Sequence, residues 1–552
     1  MVNPDLPGGR LGESVFGTRA QACLWVRKHI GWVLRVNRLF GRDDRWVKAS
    51  LFAAAFNGGC WPGTANESKI SRWETATLRV PYQALQRYEE LLGLPGGLLS
   101  ATADNIHAYY CPDPGCPGTN GWSLPRKGPM PVERVSELID KASSNALMTG
   151  CEWDELTREI SSAPNFFIAP SAAWATLAER LLQEQIIADQ VAWLQRSGAF
   201  LRLLTHPVGQ MSAIAACVSL ATDRTNQVGI EVIGILDATG HPDASAQVLA
   251  QLASPTSDKT FYGALLACVR KLARGHFTPE QVRFLASVVV SLLDDSARHD
   301  DARTLAASLL RQMPHAVPTS EARKIRTWLT EDETVGQILT TGRLGEPRTT
   351  ASRVRRIVSA ATARMPREAP WVYDETLDEL VDELLFSPVA DVRLCAAFLI
   401  HATPYREPVG SLLATELSSI AATQTDLAIC IMDALRLLGG QAERSVIERL
   451  TVTPGIPAPV VASAARNIGH LGGTSDDAYW LHAFRRQRYL LERDASPAGG
   501  AILRGLVYGL GMSWNDPLLT RIRDLGDMPW QAREAAFWWL GHPRRIRESA
   551  AL

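Results

Sequence analysis

One periodicity runs through almost the whole chain: apolar residues recur at i, i+3, i+4 and i+7, and hardly any stretch alternates with a period of two. The first spacing lines one face of a helix; the second would line one face of a strand. The expected fold class is therefore all-α. The pattern is most regular in the last third. Val392, Cys395, Ala396 and Leu399 stand at offsets 0, 3, 4 and 7. Related stripes start at Leu427, Val461, Ile502 and Ala532, so successive starts lie 35, 34, 41 and 30 residues apart. Glycines close several units, at Gly439-Gly440, Gly472-Gly473, Gly511 and Gly541, as a left-handed helix C-cap requires. One helix pair per period cannot bury its own apolar face, so neighbours must stack. Phe261, Ala264, Leu265, Cys268, Val269 and Leu272 share the spacing, which places the start of such a stack well before residue 350.

The chain has 552 residues, too many for one hydrophobic core. Its 46% hydrophobic and 21% charged residues are ordinary for a folded protein. No apolar run approaches the roughly 20 residues that span a bilayer, and the opening MVNPDLPGGRLGES has no apolar signal core. The cytoplasm is the expected compartment. Of the nine cysteines, Cys217, Cys268, Cys395 and Cys430 sit in apolar helical patterns and are expected as small buried hydrophobes, with no disulfide framework.

A Pro/Gly-rich stretch at 111–131 and a second break near 341–350 suggest four segments. These are an N-terminal domain over 1–105, a linker over 106–131, a helical domain over 132–345 and stacked helical repeats over 346–552. The net charge of −1 hides an asymmetry: residues 18–93 carry twelve Lys/Arg against six Asp/Glu. A basic end on a mildly acidic body points to a polyanion partner.

Within that basic end, residues 18–41 read as a helix with Val26, Ile30, Val33 and Leu34 on one face. Residues 44–56 read as a second, with Val47, Leu51 and Ala55 aligned. A turn-rich stretch follows, Asn57-Gly58-Gly59-Cys60-Trp61-Pro62-Gly63, then a short segment from Asn66 to Trp73. Pro81 opens a further helix, with Ala84, Tyr88, Leu91 and Leu92 inward; Gly93 and Pro95 stop it. The segment Ser68-Lys69-Ile70-Ser71-Arg72-Trp73-Glu74, with Pro81 and the helix after it, resembles the XRE-type helix-turn-helix family, the Cro-like phage-repressor fold. The resemblance covers residues 20–105. Two features depart from it: the turn before the segment is about ten residues where the family usually has about four, and Ala76 stands near where the family has glycine. The long turn is itself similar to insertions in actinobacterial regulators of this type.

Ile70 and Trp73, three apart, can both face a core. That leaves Asn66, Glu67, Lys69, Ser71 and Arg72 outward. In a recognition helix such side chains meet base edges in the major groove. Arg72 can pair bidentately with guanine and Asn66 with adenine. Thr64, Ser68, Lys69 and Arg79 suit phosphates. Glu74 is expected in an ion pair within the fold. The resemblance thus implies double-stranded DNA as partner, and family members usually bind as homodimers. The C-terminal spacing resembles HEAT-like α-solenoid repeats, most closely at Pro388 and Asp391-Val392-Arg393. Apolar faces at the ends of such a solenoid would need covering, which self-association would supply.

Other groupings carry less. Cys111 and Cys116 could offer two thiolates to zinc, but a structural site normally needs four ligands; no metal and no cofactor is expected. Asp374, Asp378 and Asp382, with Glu375, Glu379 and Glu383, read as a solvated helix face. The clusters Arg348, Arg353, Arg355, Arg356 and Arg544, Arg545, Arg547 read as surface ion-pair networks. No nucleophile elbow, phosphate loop, zinc-protease or dinucleotide motif occurs in context, so no enzymatic activity is expected. The leading expectation is a sequence-specific transcriptional regulator whose body dimerises or senses a small molecule or protein. The alternative is a solenoid scaffold with an adaptor domain. A helical-repeat enzyme acting on nucleic acid would need a cleft carboxylate with a shifted pKa.

Overall fold

The computed structural model describes residues 19–111, 130–295, 300–317, 321–494 and 497–552. Among them the regular structure is helical and no strand occurs. Five helices form the N-terminal unit: α1 (Arg19–Phe40), α2 (Ala49–Phe56), α3 (Glu67–Glu74), α4 (Tyr82–Leu92) and α5 (Leu98–Tyr110). Local chemistry sets their ends. The Asn66 side chain accepts from the Lys69 N–H at 2.9 Å and caps α3. Gly93, at φ 62°, closes α4 in the left-handed region. The buried Glu89 carboxylate accepts from the Gly97 and Ser100 N–H groups, both at 2.9 Å, and holds the start of α5.

Two expectations about this unit are corrected. The segment 44–56 is not one helix. A single 3-10 turn over Asp44–Val47 ends at Lys48, whose backbone is extended, and α2 begins after it. That break resets the helical phase. Phe52, Ala53 and Phe56 point inward instead, while Val47 and Leu51 are exposed. The domain also does not end at residue 105, because α5 continues to Tyr110.

The rest of the chain is a stack of helices. It opens with α6 (Val132–Ser143) and α7 (Gly150–Ser162), then runs through α8 (Ala172–Ile187), α9 (Gln190–Thr205), α10 (Gln210–Thr222), α11 (Gly229–Gly234), α12 (Pro242–Ala253) and α13 (Asp258–Ala273). It continues with α14 (Pro279–Asp294), α15 (Asp300–Gln312), α16 (Ala322–Glu331) and α17 (Glu333–Thr341). Here α11, α13, α15 and α17 pack in sequence as one row; α8, α10, α12 and α14 do so as another. The second half comprises α18 (Pro347–Ala363), α19 (Glu375–Phe386), α20 (Ala390–His401), α21 (Arg406–Ile420), α22 (Thr425–Leu438) and α23 (Gln441–Val452). It ends with α24 (Ala458–Asn467), α25 (Asp477–Asp494), α26 (Pro497–Met512), α27 (Asp516–Asp524), α28 (Trp530–Gly541) and α29 (Arg544–Ala550).

The five apolar stripes of the sequence fall on α20, α22, α24, α26 and α28, each packed on the next; α21, α23 and α25 form the second row. One close approach is that of α24, with the turn after it, to α26. A Cβ on Gly509 would lie 2.6 Å from Ile468 Cγ2 and 2.9 Å from the Ala465 carbonyl oxygen. Only glycine allows that spacing.

The stack returns on itself. α29 packs on α8. Ser549 Oγ accepts from the Met148 N–H at 3.1 Å, and Arg196 donates to the Met148 and Ser549 carbonyls. Arg196 and Arg180 are both buried against Glu184, at 3.2 and 2.9 Å, and Trp153 Nε1 donates to Glu184 at 2.7 Å. The first and last parts of the stack therefore cover each other. A second copy is not needed to cover them, so that argument for self-association loses its basis. Among the described residues, no single helix is long and apolar enough to cross a membrane.

Candidate nucleic-acid interface

The N-terminal unit is built around α3 and locked to the body through α1 and α5. Ile70 and Trp73 are buried, with Trp73 packed against Phe56 and Trp61. Glu74 is buried as well. Both its oxygens accept from Arg38, each at 2.7 Å, and Tyr88 donates to it at 3.1 Å. The expected internal ion pair is thus present, with Arg38 also donating to the Trp46 and Val47 carbonyls. At the crossing of α1 and α3 the backbones nearly touch. A Cβ on Gly31 would sit 2.8 Å from the carbonyl oxygens of Trp73 and Glu74.

The ten-residue turn between α2 and α3 is ordered by side chains. Asn57 donates to the Ala53 and Ala65 carbonyls and accepts from the Ala65 N–H at 2.6 Å. Arg87 donates to the last carbonyls of α2, at Phe56 and Ala55, which satisfies groups a helix end leaves open. Trp61 folds back onto Phe56 and Trp73. Past α3, Ala76 takes φ 60°, the left-handed conformation that favours glycine. Its N–H donates to the Trp73 carbonyl at 3.1 Å.

The body holds the opposite side. Trp32 Nε1 donates to Asp374 at 3.0 Å, Trp25 Nε1 to Glu379 at 2.6 Å, and Asn37 to the Ala402 carbonyl at 2.6 Å. Arg367 donates to the Leu39 and Gly41 carbonyls. Arg274 and Arg270 donate to the carbonyls at the end of α5. This corrects the reading of the acidic helix as a solvated face. Asp374 caps α19 and is buried under Trp32; Glu379 meets α1; Glu383 is buried. Burial pushes the Glu383 carboxyl up to about 8. Four of the seven clustered arginines are ion-paired, Arg353 and Arg356 with Glu416, Arg544 with Glu548 and Arg547 with Asp516.

The predicted site residues divide into two sets. Thr64, Asn66, Glu67, Ser68, Ser71 and Arg72 are exposed along the outer side of α3 and its approach. Lys69 and Arg79 are half-buried. Lys69 Nζ donates to the Thr64 carbonyl at 3.0 Å and lies 5.2 and 5.4 Å from the Trp61 and Trp73 ring centres. It therefore stiffens the turn. Arg79 lies near His107, whose pKa is lowered to about 4 by burial and then by the Arg79 charge. Asn66 spends one lone pair of its carbonyl oxygen on the α3 cap. Thr75, Thr77, Arg42 and Lys48 are exposed too and were not singled out from the sequence; for the two cations, the signal was their place beside the breaks at 41–48.

Much of the basic charge is consumed internally. Arg38 and Arg87 hold backbone and carboxylates, Arg35 stacks on Trp371 at 4.8 Å, and Arg45 pairs with Asp43 at 2.7 Å. Cys111 is buried and Cys116 lies outside the described residues. Among the described residues, no group of three or more His, Cys, Asp or Glu could hold a metal ion. Comparisons with protein-family models, with curated proteins and with solved structures each find no match to this chain.

Proposed function

We propose that this chain is a sequence-specific DNA-binding transcriptional regulator that reads the major groove with the outer side of α3. One observation carries the reading. The inner side of α3 is fixed by Ile70, Trp73 and the Arg38–Glu74 pair, and the whole unit is seated on the body, yet Ser68, Ser71 and Arg72 remain open. A short helix held rigidly with one polar face free is the geometry that groove reading uses. In this reading Arg72 contacts a guanine edge, while Ser68, Ser71, Arg42 and Lys48 contact phosphates. Two copies on a palindromic site would place their α3 helices about 34 Å apart. The solenoid-scaffold alternative has less support, because α1 and α5 already lie against α9 and α20. Gel-shift titrations of the full chain across salt test the proposal. The expected result is affinity that falls steeply as salt rises, because phosphate contacts release counterions. Salt-independent binding, or no binding to any genomic fragment, would contradict it.

A further inference from the structure

Where the two halves of the stack face each other, a cavity of about 730 Å³ lies between α5, α9, α13, α20, α24 and α26. That is the size of an organic-ligand site. Seven basic and seven acidic side chains line it, so its walls favour neither a net anion nor a net cation. Six of these fourteen charges are matched in pairs: Arg270 with Asp237 at 2.6 Å, Arg393 with Asp433 at 3.2 Å and Arg466 with Glu231 at 3.3 Å.

Asp391 and Lys259 are among the charges outside these pairs. Asp391, in the first turn of α20, is half-buried on the cavity wall and makes no ion pair among the described residues, because Arg270 and Arg393 beside it are bound to Asp237 and Asp433. Burial pushes its carboxyl up to about 7. Lys259, at the start of α13, donates to the Gln227 carbonyl at 3.0 Å and makes no ion pair among the described residues. Burial, and then the charge of Arg466, pushes its ammonium well below the ordinary lysine value. Each group therefore stands half-buried on the wall without an ion pair, where a ligand of opposite charge can supply one. They stand on different walls. Both line the same cavity, as does Tyr262 one turn beyond Lys259, so one small molecule can meet both charges. Ile230, Leu266 and Phe398 give the wall apolar surface.

We propose that this cavity binds a small zwitterionic amphiphile, with an acidic group at Lys259, an amino group at Asp391 and Tyr262, and an apolar linker between them. Tyr109 of α5 lines the same space, so the ligand touches the N-terminal unit directly. The proposal gives a chemistry to the sensing role of the body, and its test reads ligand binding without DNA, so it stands or fails separately from the reading of α3.

The test is calorimetric titration of the full chain with 6-aminohexanoate, 8-aminooctanoate and 12-aminododecanoate, beside the monoacid and monoamine of each length. At least one amino acid is expected to bind about tenfold or more tightly than both its single-charge counterparts, a difference of about 1.4 kcal/mol. Asp391→Asn, which keeps the shape, should bring its affinity down to that of the monoacid; Lys259→Ala should bring it down to that of the monoamine. The comparison among compounds on the parent protein decides the matter even where a variant fails to fold. Equal binding by all three kinds of compound, no binding by any at millimolar concentration, or affinities indifferent to both substitutions would overturn the proposal.

Discussion

Helices α1 and α3 belong to the same basic segment and have opposite fates. α1 is buried on most sides: Val26, Ile30, Val33 and Leu34 are buried, and so are Trp25, Trp32, Val36 and Asn37. One side packs on α3 and α5, the other on α20. α3 buries Ile70, Trp73 and Glu74 and leaves its other side to solvent. A helix buried on both sides fixes position; a helix buried on one side can present a surface. The difference teaches that net charge is a poor guide to where a polyanion would bind. α1 holds Arg38 and Arg35, yet both are spent on Glu74 and Trp371.

The largest expected effect breaks the link between the two helices. Glu74→Ala leaves the Arg38 guanidinium buried without its carboxylate, and should destabilise the N-terminal unit by about 3–5 kcal/mol. Hydrogen exchange in α3 and α4 measures this locally; unchanged protection would show that the pair does not hold α3. Gly31→Ala tests the backbone crossing. Its Cβ would meet two carbonyl oxygens at 2.8 Å, so α3 must shift, at about 1–3 kcal/mol. Normal stability would mean that the two helices are not so close.

The acidic helix α19 gives a pH-dependent prediction. The Glu383 carboxyl titrates near 8 in the fold against an ordinary 4.5. A raised folded-state value contributes stability below about 4.5 that is lost as pH rises through about 8. Glu383→Gln should therefore stabilise the protein at pH about 8.5, by about 1–3 kcal/mol, and leave it nearly unchanged at pH about 5. Equal effects at both values would place the carboxyl in solvent. A smaller gain is expected from Ala76→Gly. It relieves the left-handed φ of 60° at the end of α3 at some entropic cost in the unfolded chain, for a net of about 0.5–1 kcal/mol. Loss of stability there would contradict that backbone conformation. Smallest is the effect of Arg42→Ala or Lys48→Ala. Each should reduce the salt dependence of DNA binding by about one unit of slope and leave sequence preference unchanged.

Periodicity made much of this legible. The inward pair Ile70 and Trp73, the internal role of Glu74, the glycine at 93 and the five stripes on α20 to α28 all follow from spacing within a few turns. The face Val47–Leu51–Ala55 was misjudged because the extended backbone at Lys48 restarts the helix, and a break of one residue carries no strong sequence signal. Asn66 has the cap position written in its spacing to Lys69, but its carbonyl was assigned to a base. Pairings such as Trp32 with Asp374 or Arg196 with Ser549 join residues more than 340 apart. No local pattern encodes them, and the closure of the stack and the cavity depend on such pairs.

The central claim is that α3 reads DNA sequence, and the most direct test is selection of bound sites from a randomised DNA library, with the full chain and its Arg72→Ala variant side by side. The account predicts that the parent enriches one motif. The variant should fold normally, bind the same DNA, and lose preference at one base pair, a discrimination of about 1–3 kcal/mol. An enriched motif that is identical in the two proteins, at the same affinity, would contradict it.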